Sequence, residues 1–451
     1  MKEIKYYDLN GSQDVVMLQC KYSIFKRIVN ILSSMSTKKD IDFNLMKDAF
    51  NMIIDRNDSL RIRFAKKGKK LVQYFIDEYN FDDIPVYEFK TEIEQVAFIN
   101  KLKKKPIKYM KGQVVEPYFI KTFDGKNMVF LKVCHLILDI YGINIIFRDL
   151  FAVYEALVEG KDLPEPPNSF EEVLQKDLSR KHNQERLEKN TEFFKEYFAG
   201  TEEPYYAGIH GPEQQLWKKQ LAKGKRAMKM FFVHNDTHGY EHHISKETMD
   251  KVVEACKKLE CSPANFMLYA CCLTASRINN NISNMLPMLL YNCRGSALEK
   301  NCAGTKAQSM CSYTKIDYNK TFNENLAEFL PQHTKLYRRI GFSDQQMVSI
   351  LHKAYGGSFM ETYYSIAFSF IPYTKPEDLE FEMYSNEKCA LPAYLALFYD
   401  LNKGDILMYY DVQTIITTGH DVEKFHQNFV SVLNQITDNL DIPVSEIKVN
   451  N

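Results

Sequence analysis

The chain has 451 residues, with 58 Lys+Arg against 58 Asp+Glu for a formal charge of zero, and 45% of it is hydrophobic, including 28 Tyr and 30 Phe. That balance supplies no sequence-independent attraction to phosphate backbones or anionic lipid, which disfavours nucleic-acid binding and polybasic membrane attachment. At roughly 100 to 200 residues per domain, two or three domains are expected.

The opening segment, MKEIKYYDLNGSQDVVMLQC, mixes charges through its first residues and lacks the apolar core of a signal peptide. From Leu45 through Phe50, Ile53 and Ile54, apolar residues recur on one stripe of a 3.6-residue period, which predicts an amphipathic helix leading toward a strand. Strand candidates Leu60–Phe64 and Leu71–Phe75 flank AKKGKK, where Gly68 and the lysines suit an exposed hairpin turn. Residues Asn127–His135, NMVFLKVCH, are a nearly continuous apolar run, the pattern of a strand buried on both faces. Ile143–Val158 then carries the stripe Ile146, Leu150, Val153, Tyr154 and Leu157 of a helix packed on such a sheet. Between them, HLILDIYG puts a histidine and an aspartate at a strand-to-helix crossing.

Three prolines in KDLPEPPN, Lys161–Asn168, make the clearest break. A charged helical stretch, Phe170–Phe198, follows, and the boundary between two lobes, 1–175 and 176–451, is placed there. Beyond it come a strand candidate at Met228–Val233 and a helix pair whose starts are marked by Ser245 with Thr248 and by Ser262 before Pro263. Strands at Met285–Tyr291 and Tyr363–Ile371 are followed by a hairpin turning at Asn402–Gly404 and a final helix from about Val422 to Ile436. No run approaches the ~18 apolar residues of a membrane span; Leu391–Tyr399 is about half that and contains Pro392. Ten cysteines lie scattered without paired spacing, Cys271 and Cys272 being adjacent, so the expectation is a reduced, cytoplasmic protein whose cysteines mostly act as small apolar residues. Helices alternate with strands twice, which predicts two α/β lobes.

Four stretches, in order, resemble the condensation domains of nonribosomal peptide synthetases, within the chloramphenicol-acetyltransferase-like acyltransferase superfamily. RNDSLRIRF, Arg56–Phe64, is similar to the family's R-H-E-x-L-R-T-x-F. CHLILDI, Cys134–Ile140, resembles its H-H-x-x-x-D-G, and the following IIFRDLFAVYEAL resembles the family helix with R-E-L at that offset. NCRGSALEKNCAGTKAQ, Asn292–Gln308, is similar to the G-R plus G-x-F-V-N region, keeping Arg294 and Gly304 with Gln308 in place of Asn. YSIAFSFIP, Tyr364–Pro372, looks like the late strand near the substrate channel. The chain departs from the pattern at Cys134, where the first histidine would stand, and at Ile140, where a β-branched side chain replaces the motif glycine.

The resemblance implies an α/β fold of two chloramphenicol-acetyltransferase-like lobes forming a V-shaped pseudo-dimer with a central channel, His135 midway along it, in a stand-alone member of the family. A donor acyl thioester, carried on a phosphopantetheine arm of a carrier protein or on coenzyme A, would meet an amine or alcohol acceptor. The protein itself would bind no cofactor and no metal, and one chain would suffice to form the channel. His135 is the candidate general base or positioning residue, since a neutral imidazole titrating near ~6.5 suits removal of the acceptor's proton. Asp139 is expected to brace the crossing through an arginine, Arg61 first and Arg294 second, although a plain helix N-cap is an alternative reading. Tyr141, Gly142, Arg294 and Gln308 are the expected substrate-binding residues, with backbone N–H groups near Gly142 as oxyanion donors.

Two rivals stand beside this reading: a catalytically inactive condensation-like module that docks a carrier protein, and an O-acyltransferase that shares the site. His234, His238, His242 and His243 could ligate zinc, but Gly239 and the strand-like EHHIS argue against the needed helix. Neither a Gly-rich phosphate loop nor a G-x-S-x-G elbow is present, which leaves kinase, dehydrogenase and serine-hydrolase readings without support.

Overall fold

The computed structural model describes residues 4–231, 233–358 and 360–450. The first three residues of the opening segment and Phe232, inside the Met228–Val233 candidate, lie outside the described residues. The chain forms two compact α/β units. One runs to Asn183 and also takes in 292–308 and 375–388; the other comprises 184–291, 309–374 and the chain from Cys389 onward.

In the first unit a five-stranded sheet has the order Glu380–Tyr384, Asn30–Thr37, Asn127–Cys134, Val115–Lys121, Val86–Glu88. Its neighbours are antiparallel except for the last pair, which is parallel. Asn127–Cys134 is buried at all eight positions, as its unbroken apolar run requires. The one charge within it, Lys132, lies directly across from Glu116 on the neighbouring strand and pairs with it at 2.9 Å. Asn30 faces Cys134 and Val115 faces Val133, so His135 emerges where both neighbours begin. Its N–H donates to the Val29 carbonyl at 2.8 Å, holding the first residue of the crossing to the sheet.

Helix Phe43–Arg56, capped by Asp42, buries Met46, Ala49, Phe50, Ile53 and Ile54 and packs on helix Ile140–Glu159. Leu45, expected on that stripe, is half-buried, and Met46 takes its place. Helix Ile140–Glu159 starts three residues earlier than its apolar stripe suggests because Asp139 caps it, and it ends at Gly160 in the left-handed region, φ 64°.

The second unit's sheet includes, in order, Asn284–Tyr291, Tyr364–Tyr373, Ala393–Asp400, Ile406–Gln413 and Thr237–Ile244. Tyr364–Tyr373 runs parallel to both neighbours, and the other pairs are antiparallel. Ser245 and Ser262 cap helices Lys246–Lys258 and Pro263–Ile278 at the expected positions, each cap stabilising by about 1 kcal/mol. These helices pack with the C-terminal helix Gly419–Asp438.

Three boundaries differ from the sequence reading. The helical stretch after Phe170 breaks into Phe170–Lys181 and Gln184–Ala199, and the units part at that break. A single cut at 175/176 also has no place for 292–308 and 375–388 in the first unit; these are held by long-range pairing, such as Glu380–Tyr384 on Asn30–Thr37, which local patterning does not encode. Among the described residues of the Met228–Val233 candidate, the strand covers Met228–Lys229. Among the described residues no helix is long and apolar enough to cross a membrane.

Candidate active site

The turn after Asn127–Cys134 aims His135. Its Nδ1 lies 3.1 Å from the Leu138 carbonyl, which can only accept, so Nδ1 carries the proton and the neutral ring keeps its lone pair on Nε2. The ring is half-buried. Burial disfavours the imidazolium and outweighs the pull of the Asp139 charge, so the pKa lies below the usual 6.5.

Asp139 is both an N-cap and one half of an ion pair. Its Oδ1 accepts from the Gly142 N–H at 2.7 Å and from Arg294 Nη2 at 3.1 Å. Its Oδ2 accepts from Arg294 Nη1 at 2.9 Å and from the amides of Lys306 and Ala307 at 2.8 and 2.9 Å. Burial by itself would raise the carboxyl pKa; the Arg294 charge and these hydrogen bonds outweigh it and hold the group below the ordinary carboxylate range.

The partner is therefore Arg294 and not Arg61. The Arg61 guanidinium donates to the carbonyls of Ile54, Asp55 and Ile76, tying the end of helix Phe43–Arg56 to the hairpin. Arg294 is correspondingly not a surface that substrate touches: its side chain is fully buried, also donates to the Asn292 and Gly304 carbonyls, and lies over the Tyr141 ring at 4.6 Å. Nor is the Gly142 amide an oxyanion donor, since Asp139 already holds it. Gly142 is needed for close approach instead: a Cβ there would come within 2.7 Å of the Gly304 carbonyl oxygen. Tyr141 is half-buried and donates from its hydroxyl to the Lys300 carbonyl at 3.3 Å. Gln308 keeps a buried Oε1 with no hydrogen-bond partner.

Ile140 is the first residue of its helix and lies outside the left-handed region, so the backbone strain that a displaced glycine would imply does not arise. The early motif braces the same unit. Arg56 pairs with Asp149 at 2.9 Å, and Asp58 accepts from the Phe170 and Glu171 amides at 2.7 and 3.0 Å at the start of helix Phe170–Lys181.

Sequence reasoning missed the ion network behind Arg294. Lys306 Nζ, 2% exposed, lies 2.7 Å from Asp177 and 3.2 Å from Glu299, and Arg180 reaches Glu299 at 3.2 Å. Burial would raise the Glu299 pKa, but the Ser296 amide and Lys306 hold it at about 2. One signal was present: Asp177 completes the buried stripe of Phe170, Val173 and Leu174, a charge where the helical period calls for an apolar residue. Lys306, in turn, stands at the aromatic position of the G-x-F-V-N pattern counted from Gly304.

The histidine-rich segment forms strand Thr237–Ile244, and His242 stacks on His426 with ring centroids 4.6 Å apart. Among the described residues no group of three or more His, Cys, Asp or Glu could hold a metal ion.

Residues 4–350 match the family model of the condensation domain. The chain is similar to bacitracin synthase 1 of Bacillus licheniformis, 26% identical over 169 residues, which cover 36% of this chain and 3% of that protein. It is also similar to surfactin synthase subunit 1 of Bacillus subtilis strain 168, 20% identical over 387 residues, 84% of this chain and 10% of that protein. Against these curated relatives the chain spans at most a tenth of their length. In fold it is similar to a variant of the starter condensation domain of rhizomide synthetase RzmA in complex with C8-CoA, with TM-score 0.82, 14% identity and coverage of 99% of this chain and 98% of that one. The first condensation domain of the calcium-dependent antibiotic synthetase, in complex with a substrate analogue, gives TM-score 0.80 at 12% identity with 99% of both chains covered.

Proposed function

We propose, from the premise that the chain belongs to the condensation domain family of acyltransferases, that this protein moves an acyl group from a carrier-protein or coenzyme A thioester to an amine or hydroxyl acceptor. The observation that carries the reading is the state of His135: a neutral ring whose Nδ1 is fixed on Leu138, leaving a basic Nε2, set in a turn braced by the Asp139–Arg294 pair. Nε2 accepts the proton of the attacking N–H or O–H as the new C–N or C–O bond forms. The tetrahedral adduct then collapses, the C–S bond breaks, and the departing thiolate takes the proton from the imidazolium.

Asp139 orients the crossing and stays ionised through neutral pH, because five donors hold its pKa below the ordinary carboxylate range. Half-buried Tyr141 is the residue of this set left for substrate contact, and the Gln308 Oε1, buried without a partner, could take a substrate donor only on being uncovered. A medium-chain acyl-coenzyme A is the first donor to try, since the fold relative RzmA was crystallised with C8-CoA, and a second structure of that domain holds both C8-CoA and Leu-SNAC.

The test is release of free thiol from acyl-coenzyme A and carrier-bound thioesters given pooled amines and alcohols, wild type beside His135→Ala. Acceptor-dependent release that vanishes in a folded mutant supports the transferase. Turnover indifferent to the mutation removes His135 from the chemistry, and silence with both donor types favours a docking module.

A further inference from the structure

Two of the ten cysteines meet in a helix cap. Helix Lys246–Lys258 ends with Glu260 in the left-handed region, φ 50°; the Glu260 N–H donates to the Lys257 carbonyl at 3.5 Å and the Cys261 N–H to the Cys256 carbonyl at 3.1 Å. These are the two bonds of a Schellman motif, which folds the second residue beyond the cap back onto the third-last residue of the helix, usually as an apolar contact. Here both residues are cysteines, so the motif sets the two thiols beside each other, and each shifts the other's pKa. Cys256 is 4% exposed and Cys261 is half-buried.

We infer that Cys256 and Cys261 are a thiol-redox modification site: they close reversibly into a disulfide at the corner between helices Lys246–Lys258 and Pro263–Ile278. The pairing escapes a spacing rule because the residues are five apart, with neither the C-x-x-C spacing of redox motifs nor a disulfide framework around them. Their roles differ. Cys261, the half-buried sulfur, is the one an external oxidant reaches, and the neighbouring Cys256 thiol lowers its pKa. Burial pushes the Cys271 and Cys272 thiols up, the latter to about 12, so they compete poorly.

With a small disulfide such as oxidised glutathione as oxidant, the Cys261 thiolate attacks one sulfur and expels a glutathione thiolate. The Cys256 thiolate then attacks the Cys261 sulfur of the mixed disulfide and expels the second. Two protein thiols are oxidised, one glutathione disulfide is reduced, and the two thiol protons leave on the two glutathiones.

The test treats the full chain with oxidised glutathione, alkylates the remaining thiols and digests with trypsin. Cleavage after Lys257 and Lys258 separates residues 252–257 from 259–277, so the disulfide registers as a covalent pair of those peptides that falls apart on reduction. The second peptide also holds Cys271 and Cys272, and fragment ions identify the bonded sulfur. The expected result is loss of two thiols with the link at Cys261, and no link in Cys256→Ser or Cys261→Ser. Should either variant fail to fold, the wild-type peptide map decides by itself: free thiols throughout, glutathione retained on Cys261, or a link through Cys271 or Cys272 each overturns the assignment.

Discussion

The strand-to-helix crossing is built twice. In the first unit, eight residues of strand, Asn127–Cys134, lead through HLILD to the twenty-residue helix Ile140–Glu159. In the second, eight residues, Ile406–Gln413, lead through TIITT to the twenty-residue helix Gly419–Asp438. The hydrogen bonds correspond: His135 N–H to Val29 and Thr414 N–H to Asp236, at 2.8 and 3.0 Å; Ile137 N–H to Cys134 and Ile416 N–H to Gln413, at 2.9 and 3.1 Å. In each, the fifth linker residue caps the helix, Asp139 in one and Thr418 in the other. The chemistry does not correspond. The second unit makes the same turn with an exposed threonine where the first has its histidine, and with a capping box where the first buries an ion pair. The turn therefore needs only a capped helix start, and the imidazole with its braced carboxylate exceeds what the fold requires.

The largest test of that difference is to remove the linker's first residue in each copy. His135→Ala is expected to lower turnover by about 10²–10⁴-fold, the usual yield of a positioned base, and Thr414→Ala to leave it within about twofold. Thiol release under identical conditions compares them, and equal losses would mean that the two crossings share a structural role only.

Next comes the cap. Asp139→Asn keeps the helix cap but strips the charge from a buried pair, leaving Arg294 uncompensated, and is expected to cost roughly 3–5 kcal/mol in urea unfolding. Thr418→Ala removes an exposed cap and should cost about 1 kcal/mol. The Asp139 contribution also depends on pH. Its folded pKa lies below the unfolded value near 3.8, so the stabilisation is present above that value and fades as pH falls through the lower folded pKa. Similar losses in the two variants, or an Asp139→Asn deficit that persists unchanged in strong acid, would remove the special standing of the first crossing.

A smaller effect separates the histidine from an ordinary one. Because burial lowers the His135 pKa below 6.5, the base stays unprotonated through neutrality, and the acid limb of kcat/KM should fall below pH 6.5. A limb above that value would place another group in control.

The legibility of the two crossings in the sequence differs for physical reasons. Asn127–Cys134 and its helix announce themselves through an apolar run and a 3.6-residue stripe, and the motif that follows the strand makes His135 and Asp139 visible. The second crossing shows its hairpin and helix but no motif, so its equivalence to the first emerges only from matching hydrogen bonds. The early motif ranks Arg61 above Arg294 as the cation for Asp139, whereas the structure pairs it with Arg294, 155 residues away in the chain. No local pattern encodes that distance. Asp177 shows in the sequence only as a charge on an apolar helical stripe, and its pairing with Lys306, 129 residues on, is made by the fold that buries them together.

The finest distinction lies at the first helical residue, Ile140 in one crossing and Gly419 in the other. The second unit thus keeps a glycine directly after its cap, and the first, where the family pattern has one, does not. Sterics account for the second: a Cβ on Gly419 would come within 2.9 Å of the Tyr240 ring, whereas residue 140 has an ordinary helical backbone. Gly419→Ile is accordingly expected to destabilise by about 1–3 kcal/mol through overpacking. Ile140→Gly should cost about 1–2 kcal/mol, the entropic penalty of glycine in a helix plus the apolar burial lost with a half-buried side chain. If Ile140→Gly leaves stability within that range but changes KM for one substrate and not kcat, the isoleucine acts on substrate fit. If KM and kcat are both unchanged, position 140 is only a helix start, as position 419 is in the other unit.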